Sequence, residues 1–190
     1  MIKNSEHLTD HGLRQIVSIK SSINWGLSEN LVSAFPTALP VDKTKINPNI
    51  ADLSSHWLAG FTSGEGSFIV TIFKSKTIIG YAVRLTFQLT QHTRDEQLLL
   101  SIVPYLDCGK VYRDKEAYIF KVTKLSDIHG TIIPFFQKYP VLGVKSKDFA
   151  DWCLIANMME QGKHLTEEGL KQIRSIKIGM NKGRDSKSLI

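Results

Sequence analysis

Apolar and polar residues alternate almost without fault between positions 83 and 90. Val83, Leu85, Phe87 and Leu89 fall on one side, and Arg84, Thr86, Gln88 and Thr90 on the other. A period of two marks a strand with one face buried and one face wet. The same reading starts a strand at Ser67, with Phe68, Val70 and Ile72 on one side and Thr71 and Ser75 on the other. Ile69 and Phe73 break that pattern, because both are apolar and both fall on the outer side. Shorter runs predict strands over 110–113 and 118–123, joined by a turn at 114–116. Helical spacing predicts a short helix around Trp57, Leu58 and Phe61 and a second over 95–102, closed by Pro104 and Gly109. Further helices are predicted over 135–139, 147–159 and 166–178, the last with Glu167 and Glu168 suited to its N-terminus. The order α-β-β-α-β-β-α, with added C-terminal helices, is an α+β layer structure. Helices cover one face of an antiparallel four-stranded sheet and leave the other face open.

A repeat cuts across this order. The stretch His7-Leu8-Thr9-Asp10-His11-Gly12-Leu13-Arg14-Gln15-Ile16-Val17-Ser18-Ile19-Lys20 is matched by His164-Leu165-Thr166-Glu167-Glu168-Gly169-Leu170-Lys171-Gln172-Ile173-Arg174-Ser175-Ile176-Lys177. The match runs on weakly through Asn24 and Gly26 to Asn181 and Gly183. Such self-similarity marks a duplicated structural unit, yet only the tail of the unit occurs twice. The expected organisation is a helical C-terminal remnant of a first repeat at 1–30, a linker at 31–54 and one complete domain at 55–190. Phe35-Pro36, Leu39-Pro40 and Asn47-Pro48 break helices and favour extended chain in that linker.

Bulk composition narrows the function little. A chain of 190 residues with 42% apolar and 22% charged residues has room for one ordinary core. A net charge of +6 and a pI near 9.3 lean towards a polyanionic partner. Cys108 and Cys153 lie far apart and lack metal-ligand spacing, so a reduced compartment and no zinc site are expected. His7, His11, His56, His92, His129 and His164 show no ligand spacing either. No apolar run is long enough to span a bilayer, so no membrane partner is expected, and no targeting segment can be read. Lys171, Arg174, Lys177, Lys182, Arg184 and Lys187 make the C-terminal stretch strongly basic.

Chemistry enters with Leu58-Ala59-Gly60-Phe61-Thr62-Ser63-Gly64-Glu65-Gly66. This reads as a short apolar helix ending in glycines, with one carboxylate lodged between them. Ala59 and Gly60 allow a second backbone to approach closely, and the turn delivers Glu65 and nearby main-chain carbonyls to the bottom of a helix–helix contact. A hard oxygen site of that kind suits Mg²⁺, which completes its shell with water and phosphate oxygen. The open sheet face carries Thr71, Ser75, Arg84, Thr86, Gln88, Lys110, Tyr112 and Lys121, a set without acids. Arg and Gln can bind guanine and adenine edges bidentately, while lysines and hydroxyls grip phosphate, so double-stranded DNA is the expected partner. Ile69 and Phe73 on that face either touch thymine methyl groups or pack under the neighbouring loop.

The nine-residue stretch resembles the LAGLIDADG motif of homing endonucleases. The resemblance extends through Phe87-Gln88-Leu89-Thr90-Gln91, Gly109-Lys110-Val111-Tyr112 and Leu142-Gly143-Val144-Lys145-Ser146-Lys147-Asp148-Phe149, and covers essentially all of residues 55–180. It implies a site-specific, metal-dependent DNA endonuclease with the LAGLIDADG fold, here the second repeat of a two-motif, intron-encoded member. Glu65, with the Gly64 main chain, would hold Mg²⁺, and Mn²⁺ would substitute. Gln91 would hold the attacking water, and Lys145, with Lys147 as competitor, would stabilise charge near the scissile phosphate. Ser63 departs from the family's usual acid and is expected to affect helix packing more than catalysis. Leu58, Ala59, Gly60 and Phe61 would pair with a second motif helix, from another copy or from a first-repeat half, because cutting both strands needs two acids. The resemblance also covers intron-encoded maturases, which would make intron RNA the partner, and catalytically silent DNA-binding remnants. It places the chain in the mitochondrion.

Overall fold

The long alternating segment forms β2 (Tyr81–His92), which pairs antiparallel with β1 (Gly66–Lys74) on one side and with β4 (Ala117–Val122) on the other. β3 (Lys110–Asp114) pairs only with β4, so the sheet order is β1-β2-β4-β3. The computed structural model of the chain describes residues 3–23, 26–38 and 53–181. By contact the chain divides into two units, Met1–Ile46 and Asn47–Ile190.

In the larger unit, α3 (Ser55–Glu65) precedes β1, and α4 (Glu96–Leu106) connects the two hairpins. After β4 come α5 (Leu125–Asp127), a π-helical turn (Ile128–Ile132) and α6 (Ile133–Lys138). The long α7 (Val144–Glu160) and α8 (Glu167–Ile178) follow. The inner side of the sheet packs around Phe68. Its ring lies 5.4 Å from that of Phe87, 5.0 Å from Phe149 and 5.4 Å from Trp152. These rings bury large apolar area with offset or tilted geometry, the arrangement aromatic pairs favour. Two side chains from the C-terminal part of the chain tie down β1: Trp152 Nε1 donates to the Ile69 carbonyl and Asn181 Nδ2 to that of Phe68, each at 3.2 Å. Arg174 of α8 lies 4.7 Å above the Tyr81 ring and ties the last helix to the start of β2.

Several boundaries differ from the sequence reading. Pro104 lies inside α4, which continues to Leu106 and ends at the left-handed Asp107. A proline this close to the C-terminus removes only one ladder bond, so the last turn survives. α7 starts three residues earlier than predicted, and the π-helical turn was not anticipated. α2 (Glu29–Ala34) overlaps the start of the predicted linker. Leu39-Pro40, Asn47-Pro48, Asn24, Lys182, Arg184 and Lys187 lie outside the described residues.

The smaller unit holds a 3₁₀ turn (Glu6–Leu8), α1 (Asp10–Ser21) and α2. Its beginning repeats the end of the larger unit bond for bond. Thr9 Oγ1 accepts from Gly12 N at 3.1 Å and donates to the Glu6 carbonyl; Thr166 Oγ1 accepts from Gly169 N at 3.1 Å and donates to the Lys163 carbonyl. In both, a threonine caps the helix while a 3₁₀ turn folds over its first residues. The fold-over explains the glycine: a Cβ would lie 2.0 Å from Glu6 O at Gly12 and 1.9 Å from Lys163 O at Gly169. Gly169→Ala is therefore expected to destabilise the larger unit by about 1–3 kcal/mol. It should lower the denaturant midpoint without changing the slope in equilibrium unfolding.

Candidate active site and nucleic-acid interface

α3 begins with Ser54, whose side chain accepts from Trp57 N, and runs without a break through Gly64 to Glu65. The chain leaves the helix directly after Glu65, as the flanking glycines led us to expect, and turns sharply at Gly66. A Cβ there would meet Thr62 Cγ2 at 2.5 Å and Thr62 O at 2.7 Å, so only glycine permits this helix-to-strand junction. The junction leaves Glu65 exposed at the helix C-terminus, immediately before the sheet.

Lys145, in the first turn of α7, reaches back to this junction. Its Nζ donates to the Gly64 carbonyl and, at 3.4 Å, to that of Thr62. Burial pushes the Lys145 pKa down, and the nearby Glu65 and Asp148 carboxylates partly oppose the shift. The ammonium thus gives up its proton at a lower pH than a solvent-exposed lysine does. Lys147, the competitor, is exposed. Ser63 bridges the same parts: its hydroxyl donates to Ala59 O at 2.8 Å and accepts from Leu142 N at 2.9 Å. It ties α3 to the loop that launches α7, a packing role. Gln91 pairs with Tyr118 near the end of β2, two residues beyond Leu89, the partner of Gly66 at the helix-to-strand junction. It shares the strand side of Leu89 and Phe87, not that of Gln88.

The donor set at the junction is one carboxylate and the Gly64 carbonyl, which already accepts from Lys145 but has a second lone pair. Among the described residues no three His, Cys, Asp or Glu side chains gather at one point. Such a sparse oxygen set fits Mg²⁺, which keeps several waters and shares phosphate oxygens, and does not fit a closed structural zinc site. Cys108 and Cys153 are free thiols, pushed by burial up to about 11 and about 12, and both stay protonated at neutral pH.

The outer sheet face is arranged in cross-strand rows. Ser67 pairs with Gln88, Gln88 with Lys121 and Lys121 with Lys110, one row across all four strands. Thr71 stands opposite Arg84, and Tyr112 opposite Ile119, all on this face. Two predicted contacts change. Thr86 has the right parity but is only 6% exposed, so it belongs to the floor of the face. Ser75 lies past the end of β1, in the hairpin loop, where its N–H donates to Gly80 O. One carboxylate, Asp114, stands at the far end of β3 on the same face. Ser67 was missed, although its place next to Phe68 in the alternation reveals its side. Lys177 was legible only as part of a basic stretch; the fold brings it to a groove beside Ser67, Ile69 and Thr71 at the edge of β1.

The predicted helix interface also changes. Leu58 and Ala59 are 1% and 4% exposed. Ala59 sits between Ser55, bonded to Tyr105, and Ser63, bonded to Leu142, and so faces the sheet-bearing body. The outward face of α3 carries the exposed Trp57, Gly60 and Gly64 and the half-buried Phe61, with the Trp57 and Phe61 rings stacked 4.9 Å apart. A Cβ added at Gly60 or Gly64 would meet nothing within 4 Å.

The chain is similar to known proteins over most of its length. Residues 58–156 match the family model described as LAGLIDADG endonuclease. "Probable intron-encoded endonuclease 3" of Neurospora crassa is 39% identical over 175 residues, covering 91% of this chain and 33% of its own length. The I-LtrWI LAGLIDADG homing endonuclease bound to target DNA is 48% identical with a TM-score of 0.86, over 96% of this chain and 61% of that one. I-SmaMI bound to uncleaved DNA target in the presence of calcium ions is 47% identical with a TM-score of 0.85, over 95% of this chain and 62% of that one. The chain thus spans a third of its curated relative and about three fifths of the solved endonucleases. Its α+β domain, with a four-stranded antiparallel sheet and C-terminal helices, has the homing-endonuclease fold, and the chain belongs to the LAGLIDADG endonuclease family.

Proposed function

We propose that this chain is one half of a site-specific DNA endonuclease that hydrolyses phosphodiester bonds with a divalent cation. The observation that carries this reading is the convergence of Glu65 and Lys145 at the α3–β1 junction, next to a sheet face lined by Ser67, Gln88, Lys121 and Lys110. The lysines and hydroxyls hold the phosphate backbone in register, and Arg84 and Gln88 read base edges in the major groove. Glu65 and the Gly64 carbonyl would hold Mg²⁺ or, in its place, Mn²⁺. When bound, the cation supplies a lowered water pKa and offsets phosphate charge. Gln91 orients the attacking water, and the Lys145 ammonium offsets the negative charge that develops on the phosphate oxygens. The DNA-bound endonucleases of the same fold, one with calcium, support this assignment.

Double-strand cleavage needs a second motif, and the outward Trp57–Gly60–Phe61–Gly64 face of α3 is where it pairs. We assign residues 1–30 to the tail of a first repeat, 31–54 to a linker and 55–190 to the endonuclease domain. The bond-for-bond match of the two capped helices supports this. So does Leu13, which is 42% exposed where its counterpart Leu170 is 4% exposed. The chain works in the mitochondrion, a placement supported by its intron-encoded fungal relative. The test is incubation of the 190-residue chain with a library of random-sequence plasmids in Mg²⁺, Mn²⁺ or EDTA. Cuts or nicks recurring at one sequence, and lost in EDTA, are expected. DNA binding without cleavage in either metal would make it a silent binding module.

A further inference from the structure

Phe73 is the apolar residue whose place on the outer face the alternation left unexplained. Its half-buried ring lies beneath the Arg84 guanidinium, whose central carbon is 4.9 Å from the ring centroid. The register shows how. Thr71 is paired with Arg84 and Phe73 with Ala82, so Phe73 and Arg84 are diagonal neighbours across β1 and β2. Ala82, opposite the ring, adds little bulk beside it. Among the described residues, no carboxylate pairs with Arg84 and no hydrogen-bond acceptor takes it. β3 and β4 repeat the device at the same diagonal offset. Lys121 Nζ is 5.9 Å from the Tyr112 centroid, at the outer limit of such a contact.

We infer that Phe73 is a specificity-positioning residue, a shelf that holds the Arg84 guanidinium flat so that its N–H edge meets one base pair. The inference rests on the DNA-reading role proposed above. A free arginine side chain samples many rotamers and loses that freedom on binding; a guanidinium already stacked on a ring loses less. Stacking occupies the faces of the guanidinium and leaves its in-plane donors free. In-plane donors are what a bidentate contact to guanine O6 and N7 requires. Lys121 has no such plane. Its ammonium is a point charge over Tyr112, suited to phosphate and indifferent to sequence.

The experiment is selection of bound duplexes from a fully randomised DNA pool by the 190-residue chain, followed by affinity measurements on single-base variants of the selected site. Arg84→Ala should abolish discrimination at one base pair. Phe73→Leu should weaken discrimination at that same base pair by roughly two- to fivefold, the factor that an exposed cation–π contact corresponds to. Phe73→Tyr, which keeps the ring, should retain it. In the Arg84→Ala background Phe73→Leu should change nothing further, because the two residues act as one unit. A uniform loss across all sequences, loss of discrimination at other base pairs, or an effect that persists without Arg84 would make Phe73 a packing residue and overturn the inference. Failure of the wild-type chain to enrich any sequence would instead overturn the DNA-reading role itself.

Discussion

Glu65→Gln is expected to lower cleavage of DNA by at least about a hundredfold, the scale on which a preorganised charge at a reacting centre acts. Binding to the same duplex should persist, because the substitution removes a negative charge facing phosphates and keeps the side chain's size. Stability offers an independent reading. Glu65 is the last residue of α3, where a carboxylate meets the negative end of the helix dipole. Glutamine there should leave the melting temperature nearly unchanged, because relief of the dipole is offset by the lost attraction to the Lys145 ammonium. A residue that is unfavourable for its own helix and indispensable for turnover is kept for its chemistry. Cleavage by Glu65→Gln at the wild-type rate in Mg²⁺ would remove it from the site, and a lowered melting temperature would assign it to the fold.

Gly60→Leu is expected to separate subunits and abolish double-strand cleavage. The 190-residue chain should form a two-fold dimer in which the Trp57, Gly60, Phe61 and Gly64 face of α3 meets its own copy. Helices packed through such small residues approach at the short end of the usual 8–10 Å. A leucine at Gly60 forces them apart, and symmetry makes the clash count twice. At about 1–3 kcal/mol per subunit the dimer should weaken roughly thirtyfold or more. The isolated subunit should not suffer, since a Cβ at Gly60 meets nothing within 4 Å. Ala59→Leu would behave differently, because Ala59 is buried against its own subunit and the substitution should unfold it first. Sedimentation of wild type and Gly60→Leu, each with and without a selected duplex, decides the matter. A Gly60→Leu protein that remains dimeric, or a wild-type chain that stays monomeric on DNA, places the interface elsewhere.

Strand identity and strand side were legible because they depend only on local alternation. Val83 to Thr90 declared both faces of β2, and the parity of Phe68 declared the side of Ser67. Helix ends were less legible, since a cap depends on what the next segment does. Gly64 and Gly66 together marked the exit from α3 at Glu65, but which of them must be glycine was not legible: a Cβ at Gly66 would strike Thr62, while one at Gly64 meets nothing within 4 Å. Burial on the open face could not be read at all from parity: Arg84 and Thr86 are both outward, yet Arg84 is exposed and Thr86 is buried. Likewise Leu58, Ala59 and Gly60 are consecutive, and only the position of the body beneath α3 decides that two of them face inward.

By itself the chain's pattern determined the order of elements, the polar face of each strand, the acid at the end of the motif and the duplicated helix. Each of these rests on neighbours a few residues apart, within reach of one turn or one pleat. Tertiary structure alone decided how they combine. The order β1-β2-β4-β3 sets β4 beside β2, so Ser67, Gln88, Lys121 and Lys110 become one row. The packing of α7 carries Lys145 to the Gly64 carbonyl, 81 residues away along the chain. Cross-strand register and helix docking are set by burial of Phe68, Trp152 and their neighbours, a condition on the whole domain that no local stretch of sequence contains.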